Sequence, residues 1–352
     1  MIKFFRNIRR NLMETGKIGR YLKYAIGEIL LVVIGILIAL QFNNQNEKRK
    51  SENEVFTIMD KLENDLLYNF NESTRILEFY KEQDKICKQV LFDDLTIEDY
   101  RKNDLISIVI ANWFALQPKT ENLTLLLDNQ KIAPKNLTPI INAAKLLKDR
   151  EYHVNQDWEN LNENIQHNME ELTRHVSLIR LDSVSKQKRF EYMLTNEDYK
   201  KRVELYWIRI QNYYDKISRF RAQNMAVLST IKIIRDEYSS KELKALYTHI
   251  GMNPFKEINC NMDNYIKDEQ ALRRGYLIGN LSPHEITLIV KNDGKIGGAY
   301  VLKSNEFRYT RPEYAGLGGD YTTIAELRNT DGNCIRKYTS TEKGYILINE
   351  MR

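Results

Sequence analysis

Glu163, His167, Glu171 and His175 recur at every fourth residue, the one series in this 352-residue chain that sets two imidazoles and two carboxylates in a line. On a helix this spacing stacks them on one face, with neighbours about 6 Å apart and residues eight apart about 12 Å apart. Zinc needs its ligands about 2 Å from one point, so His167 and His175 cannot share an ion. The series reads as a solvated face of Glu–His pairs, and His153 with Asp157 reads as one more such pair. No metal ligand set is assigned, and no cofactor.

Other chemistry is sparser still. The chain has no G-x-S-x-G and only five histidines, so no nucleophile with its base and no catalytic residue is assigned. The glycine-rich stretches at 294–298 (GKIGG) and 316–320 (GLGGD) fit neither phosphate-loop pattern and read as turns and bulges. Aromatics in the basic stretch Tyr206 to Arg221 fall on a helical core stripe. Those of the tail, Tyr300, Phe307, Tyr309, Tyr314, Tyr321, Tyr338 and Tyr345, read as cross-strand packing rather than a ligand platform.

The elements that would position these residues are mostly helices. Val55, Met59, Leu62, Leu66, Phe70, Ile76, Leu77 and Tyr80 make a stripe at three and four spacing, which predicts a helix from about Lys48 to Leu91. Leu105 to Leu116 (LISIVIANWFAL) is apolar but only 12 residues long, bounded by Asp104 and by Gln117 with Pro118. That is too short to cross a membrane and predicts a core helix. A short helix from Glu121 to about Asn129 follows, and Pro134 opens the next. Helical periodicity then extends from Leu137 to about Leu181 and from Asn196 to about Tyr238. The link of about 14 residues between them lets the two fold back on each other, which predicts an elongated antiparallel bundle.

Gly251 and Pro254 end this pattern. A helix is expected from about Asn261 to Arg274, and beyond Glu285 the runs become short, β-branched and aromatic. Asn292-Asp293-Gly294 separates EITLIVK from AYVLK, and Thr330-Asp331-Gly332-Asn333 separates TTIAELR from CIRKYT, each the signature of a hairpin. The fold class is therefore mainly α, with a small C-terminal antiparallel β module separable by composition.

Ahead of all this stands Ala25 to Phe42 (AIGEILLVVIGILIALQF), 18 residues and about 27 Å as a helix, close to the ~30 Å thickness of bilayer hydrocarbon. It can cross once. Its single charge, Glu28, lies about a turn from the basic end and reads as an interfacial or helix-pairing carboxylate. Gly35 and Ala39 add a small-residue spacing suited to pairing with a second membrane helix. With no A-x-A motif at its end and a 23-residue arm before it, the run reads as an uncleaved signal anchor rather than a removed signal peptide.

Residues 1–23 carry seven basic residues against Glu14, a net of +6. Positive-inside places the N terminus in the cytosol and the bulk of the chain across the membrane, in a periplasm for a Gram-negative cell. The whole chain is +5, so residues 24–352 are near neutral at −1, which removes the argument for nucleic acid. Lys3, Arg6, Arg9 and Arg10 alternate with Ile2, Phe4, Phe5, Ile8 and Leu12, as in an amphipathic helix lying on anionic inner-membrane lipid.

The stretch YLKYAIGEILLVVIGILIALQFNNQNEKRK, with the upstream KFFRNIRRNLMETGK, resembles the head of a family of uncharacterised single-pass membrane proteins from Bacteroidota, a domain of unknown function. That family shows GEIxLVxxGILIALQ followed by NNWNExRK, and this chain has Gln45 in place of the tryptophan. A looser likeness continues through PKTENLTLLLDNQKI and LTNEDYKKRVELY. The resemblance implies a membrane-tethered helical ectodomain and transfers no site.

Cys87, Cys260 and Cys334 have no regular spacing; one disulfide with one free thiol and three buried thiols both remain open. The domain organisation read from the sequence is a basic arm (1–23), a membrane helix (24–43), a helical ectodomain (44–250), a linker with a short helix (251–283) and the β module (284–352). The functional reading is a membrane-tethered periplasmic scaffold holding an envelope protein partner, with self-association through the membrane helix open to it. The alternatives are an envelope-acting enzyme, its site between bundle and β module, or a ligand-sensing subunit signalling through a partner membrane protein. A deep pocket with convergent carboxylates favours the enzyme; an exposed apolar or aromatic patch on a smooth bundle favours the scaffold.

Overall fold

The computed structural model describes Arg6, Arg10 and residues 18–235, 237–261, 276–292, 295–310, 323–329, 331–339 and 344–349. Contacts divide the chain into residues 1–57 with 131–133, and residues 58–130 with 134–352.

In the first unit, helix α1 (Ile18–Phe92) begins. It carries an 18-residue window of mean hydropathy 2.5, none of it buried. A helix apolar on every side and covered by nothing has its backbone bonds satisfied internally, as bilayer hydrocarbon requires. The chain therefore has one described helix long and apolar enough to cross a membrane.

In the second unit α1 continues from Ile58 as an amphipathic helix, burying Met59, Leu62, Leu66, Phe70, Ile76, Leu77, Tyr80, Cys87 and Val90. Two long helices pack with each other, α4 (Thr138–His175) and α6 (Glu197–Ile234). Ala143 O accepts from Gln223, Asp157 pairs with Lys216 and Glu171 with Arg202, so the two run antiparallel. α6 also runs antiparallel to α1, with Lys232 on Glu63 at one end and Trp207 on Asp84 at the other. Ion pairs of Arg235 with Asp60 and Glu63 extend the first of these ends. Short helices α2 (Ile97–Lys102) and α3 (Glu121–Asp128) lie between α1 and α4.

Three differences from the sequence reading have physical causes. The core helix expected over 105–116 is a 3-10 helix only from Asp104 to Ala111, and the chain is extended from Asn112. Pro118 opposes a helix ahead of it, and neighbouring side chains supply the backbone bonds that a helix would have made. The helix expected to reach Leu181 stops at His175, and the supposed link contains α5 (Ser183–Thr195). Asp182 starts α5, its carboxylate accepting from Ser185 N at 2.9 Å and Ser185 Oγ at 2.8 Å. Arg189 is buried beneath α5, donating to Asp104 Oδ1 at 2.8 Å, while Lys186 holds Asp104 Oδ2 at 2.8 Å. Burial works to raise the Asp104 pKa, yet the bonds from Lys186 and Arg189 outweigh it and hold the carboxyl below its ordinary range. Finally, α7 (Ser240–His249) follows α6, started by a Ser239–Glu242 capping box that the periodicity alone did not reveal.

Among the described residues nine strands make two sheets. One has the order β1 (Asn253–Pro254), β9 (Gly344–Ile348), β3 (Tyr276–Asn280), β6 (Glu306–Thr310). The other has the order β2 (Lys256–Ile258), β8 (Cys334–Thr339), β7 (Thr323–Arg328), β4 (Ile286–Asn292), β5 (Lys295–Leu302). The second is antiparallel throughout and contains both expected hairpins; the first adds two parallel pairings, β1 with β9 and β3 with β9. In the β7–β8 turn Asn329 Oδ1 accepts from Asp331 N and Asn333 N, and Gly332 takes φ 81°. The stretch read as a linker contributes β1, β2 and β3, and the helix expected over 261–274 lies outside the described residues.

Alternate residues of both sheets close one core, among them Ile278, Ile286, Leu288, Ala325, Leu327, Ile346 and Ile348. α6 packs on β3 and β6, and Tyr247 of α7 meets Tyr345 edge-on at 4.7 Å. Sheets and bundle thus share one compact unit rather than separating as their compositions do. Cys260 and Cys334 form a disulfide, and Cys87 is a buried free thiol.

Candidate functional site

The segment from Asp104 to Lys119 is where non-α-helical backbone enters the bundle, and α1, α4 and α6 each contribute side-chain partners to it. Tyr199, Tyr206 and Tyr213 stand seven residues apart on one stripe of α6, all fully buried. Tyr199 Oη donates to Ile106 O at 3.3 Å, Tyr206 Oη donates to Asn112 O at 2.7 Å, and Tyr213 Oη accepts from Leu116 N at 2.8 Å. From α1, Tyr80 Oη donates to Phe114 O at 2.9 Å, and the Asn69 amide makes two bonds of 2.8 Å with the Lys119 backbone. From α4, Asn168 Nδ2 donates to Ile110 O at 3.4 Å. Burial pushes the phenol pKa values of Tyr80, Tyr199, Tyr206 and Tyr213 upward, so these hydroxyls stay protonated and able to donate.

Held in this way, the segment places Trp113 and Phe114 outward, 41 % and 44 % exposed. Trp113 rests on Trp158 at 5.3 Å, and Trp158 in turn on Tyr213. Phe114 meets Phe79 edge-on at 4.8 Å, with the Arg75 guanidinium 5.0 Å from its ring centre. One heptad earlier on α1, half-exposed Tyr68 carries the Lys119 ammonium over its ring at 4.2 Å. The result is a set of large rings and cations displayed by a backbone that side chains of three helices hold.

Residues 28–187 match the profile of a family of unknown function (DUF6090). The DUF6090 stretch takes in the apolar run from Glu28, the clamped segment, all of α4 and the start of α5. Ile106, Asn112 and Leu116 therefore lie within it, while the three α6 tyrosines that bond them lie beyond. Neither a curated protein nor a solved structure matches the chain.

The residues singled out in the sequence do not converge. Glu163 and His167 are exposed, Glu171 pairs with Arg174 and Arg202, and His175 stacks on Tyr192 at 5.1 Å. His153 approaches Asp149 at 3.7 Å, one turn back rather than one turn on, because Asp157 turns to Lys216. Among the described residues no group of three His, Cys, Asp or Glu is placed to hold a metal ion. Gly35 has open space about it, Ala39 is exposed, and Glu28 is half-buried. Arg6 and Arg10 are exposed; Lys3 and Arg9 lie outside the described residues, as do 316–320, Tyr314 and Tyr321. Phe307, Tyr338 and Tyr345 are buried, as cross-strand packing requires.

The aromatic strip was missed because LISIVIANWFAL reads as core by hydropathy. Its signals were the heptad of tyrosines on α6, each able to serve a non-helical neighbour, and Asn112 with Pro118 inside an apolar run.

Proposed function

We propose that this chain is a single-pass membrane protein whose bundle and sheets lie in the periplasm and hold a protein partner at the Trp113–Phe114 strip. The strip carries the reading. Tryptophan, tyrosine and arginine dominate the binding energy of protein interfaces, and a display surface fixed before binding loses little entropy when it is covered.

Three observations support the location. The apolar run is covered by nothing, as a lipid-facing helix is. The arm's Lys3, Arg6, Arg9 and Arg10 favour a cytosolic N terminus on anionic lipid. The Cys260–Cys334 disulfide fits an oxidising compartment for the sheets. Within the membrane, Gly35 and Ala39 suit close approach of a second copy's helix, with Glu28 near the interface.

A reporter enzyme that works only outside the cytosol, fused after Arg352, tests the orientation; activity is expected, and activity of a cytosol-only reporter overturns it. Replacing Trp113 and Phe114 by alanine tests the surface. A partner recovered by crosslinking in intact cells is lost from that variant while the protein level holds; undiminished recovery overturns the assignment.

A further inference from the structure

The six residues Asn253–Ile258 form an outermost strand of both sheets: β1 lies on β9, and β2 lies on β8. The two halves are held very differently. β1 ends against Phe255, whose ring is buried in the shared core and whose N–H donates to Tyr345 O at 2.9 Å. Among the described residues no buried ring or backbone bond of that kind anchors β2. It pairs only Lys256, Glu257 and Ile258 with Thr339, Tyr338 and Lys337, and the first two of its side chains point to solvent. Side-chain contacts between it and β8 include a 3.4 Å bond from Thr339 Oγ1 to Lys256 O and a 3.8 Å pair of Arg336 with Glu257. Two residues beyond it, Cys260 is joined to Cys334, where β8 begins. Both cysteines are only half-buried.

We infer that the Cys260–Cys334 disulfide is a thiol-operated latch that keeps β2 on β8. A three-residue pairing with exposed side chains is marginal by itself, and an accessible disulfide is the kind that exchanges with external thiols. The thiolate of a dithiol attacks one sulfur of the pair; the S–S bond breaks, and the departing thiolate takes up a proton. The dithiol's second thiolate then displaces the protein sulfur from the mixed disulfide. Two electrons have passed, Cys260 and Cys334 are thiols, and the dithiol has become a cyclic disulfide. β2 is then free to leave from Lys256 onward while Phe255 keeps β1 in place, and the outer edge of β8 is uncovered for pairing with another extended segment.

Hydrogen–deuterium exchange on the full chain in detergent micelles, with and without dithiothreitol, tests it. On reduction, amides of 256–261 and of the β8 edge at 337–339 are expected to exchange at least about tenfold faster. Amides of β3, β4 and α6 are expected to keep their rates. The same local pattern is expected without reductant in Cys334→Ser. Unchanged rates at 256–261 overturn the latch. So does a loss of protection shared by both sheets, which marks a staple of the whole fold, or thiols at Cys260 and Cys334 in the unreduced protein.

Discussion

Tyr206 of α6 donates its hydroxyl to the backbone oxygen of Asn112 at 2.7 Å, and Tyr199 and Tyr213, one heptad to either side, bond the same segment at Ile106 and Leu116. The heptad matters because a rise of about 10.5 Å along α6 keeps pace with a segment that is partly 3-10 and partly extended. An apolar stretch that hydropathy alone would make a helix is instead laid along the bundle as a strap, and two of its rings face outward.

Replacing Tyr206 by phenylalanine keeps the ring and removes the donor to Asn112. The expected cost is about 1 kcal/mol, or a Tm lower by roughly 2–4 °C, with faster amide exchange over 104–116. The same change at Tyr152, which is 62 % exposed, is expected to leave Tm unmoved. Equal effects at the two positions would remove the strap's hydroxyls from the account.

Alkaline pH should unfold the bundle. Tyr100, which stacks on Phe190, has its pKa pushed up to about 12 by burial, and the α6 tyrosines are raised in the same direction. Unfolded tyrosines release their protons near 10, so above that pH the unfolded state binds fewer protons and gains on the folded one. Stability from these groups is complete below about 10 and declines as pH rises toward 12 and beyond. Phenolate absorbance and circular dichroism, followed together, should change in one step; smooth phenolate titration near pH 10 with the helix signal intact would contradict it.

Cys87 is buried on α1, and burial beside Asp84 pushes its thiol well above the ordinary range. Since the thiolate is the reactive form, a maleimide should label no cysteine in the folded, unreduced protein and one after denaturation. Rapid labelling of the native chain would place Cys87 at the surface.

Gly279 lies in β3 where a Cβ would stand 2.5 Å from Phe307 Cε1 and 2.7 Å from Leu347 Cδ2, side chains of the two strands that flank it. Gly279→Ala should therefore destabilise the sheets by about 1–3 kcal/mol. Gly35→Ala, with open space around it in this chain, should leave Tm unchanged. A neutral Gly279→Ala would mean that Phe307 can yield.

What the sequence made legible follows from periodicity. The stripes of α1, α4 and α6 and the two hairpins are long or strongly punctuated, so their existence and pairing could be read from apolar spacing and turn residues. What it hid depends on partners remote in the chain. Ile106, Asn112 and Leu116 depart from an α-helix ahead of Pro118, and tyrosines about ninety to a hundred positions away complete their bonds. β1 and β2, of two and three residues, carry no pattern of their own and exist by pairing with β9 and β8. Choosing between disulfide and free thiols likewise required the proximity of Cys260 and Cys334, 74 residues apart.

The central claim, that the strap exists to present Trp113 and Phe114 to a protein partner, is tested most directly by a photo-crosslinking amino acid placed at position 113 in the full chain and irradiated in intact cells. The account predicts one discrete adduct with another protein, which disappears when the same probe replaces the exposed Tyr152. Equal adducts from both positions, or none from position 113, would contradict it.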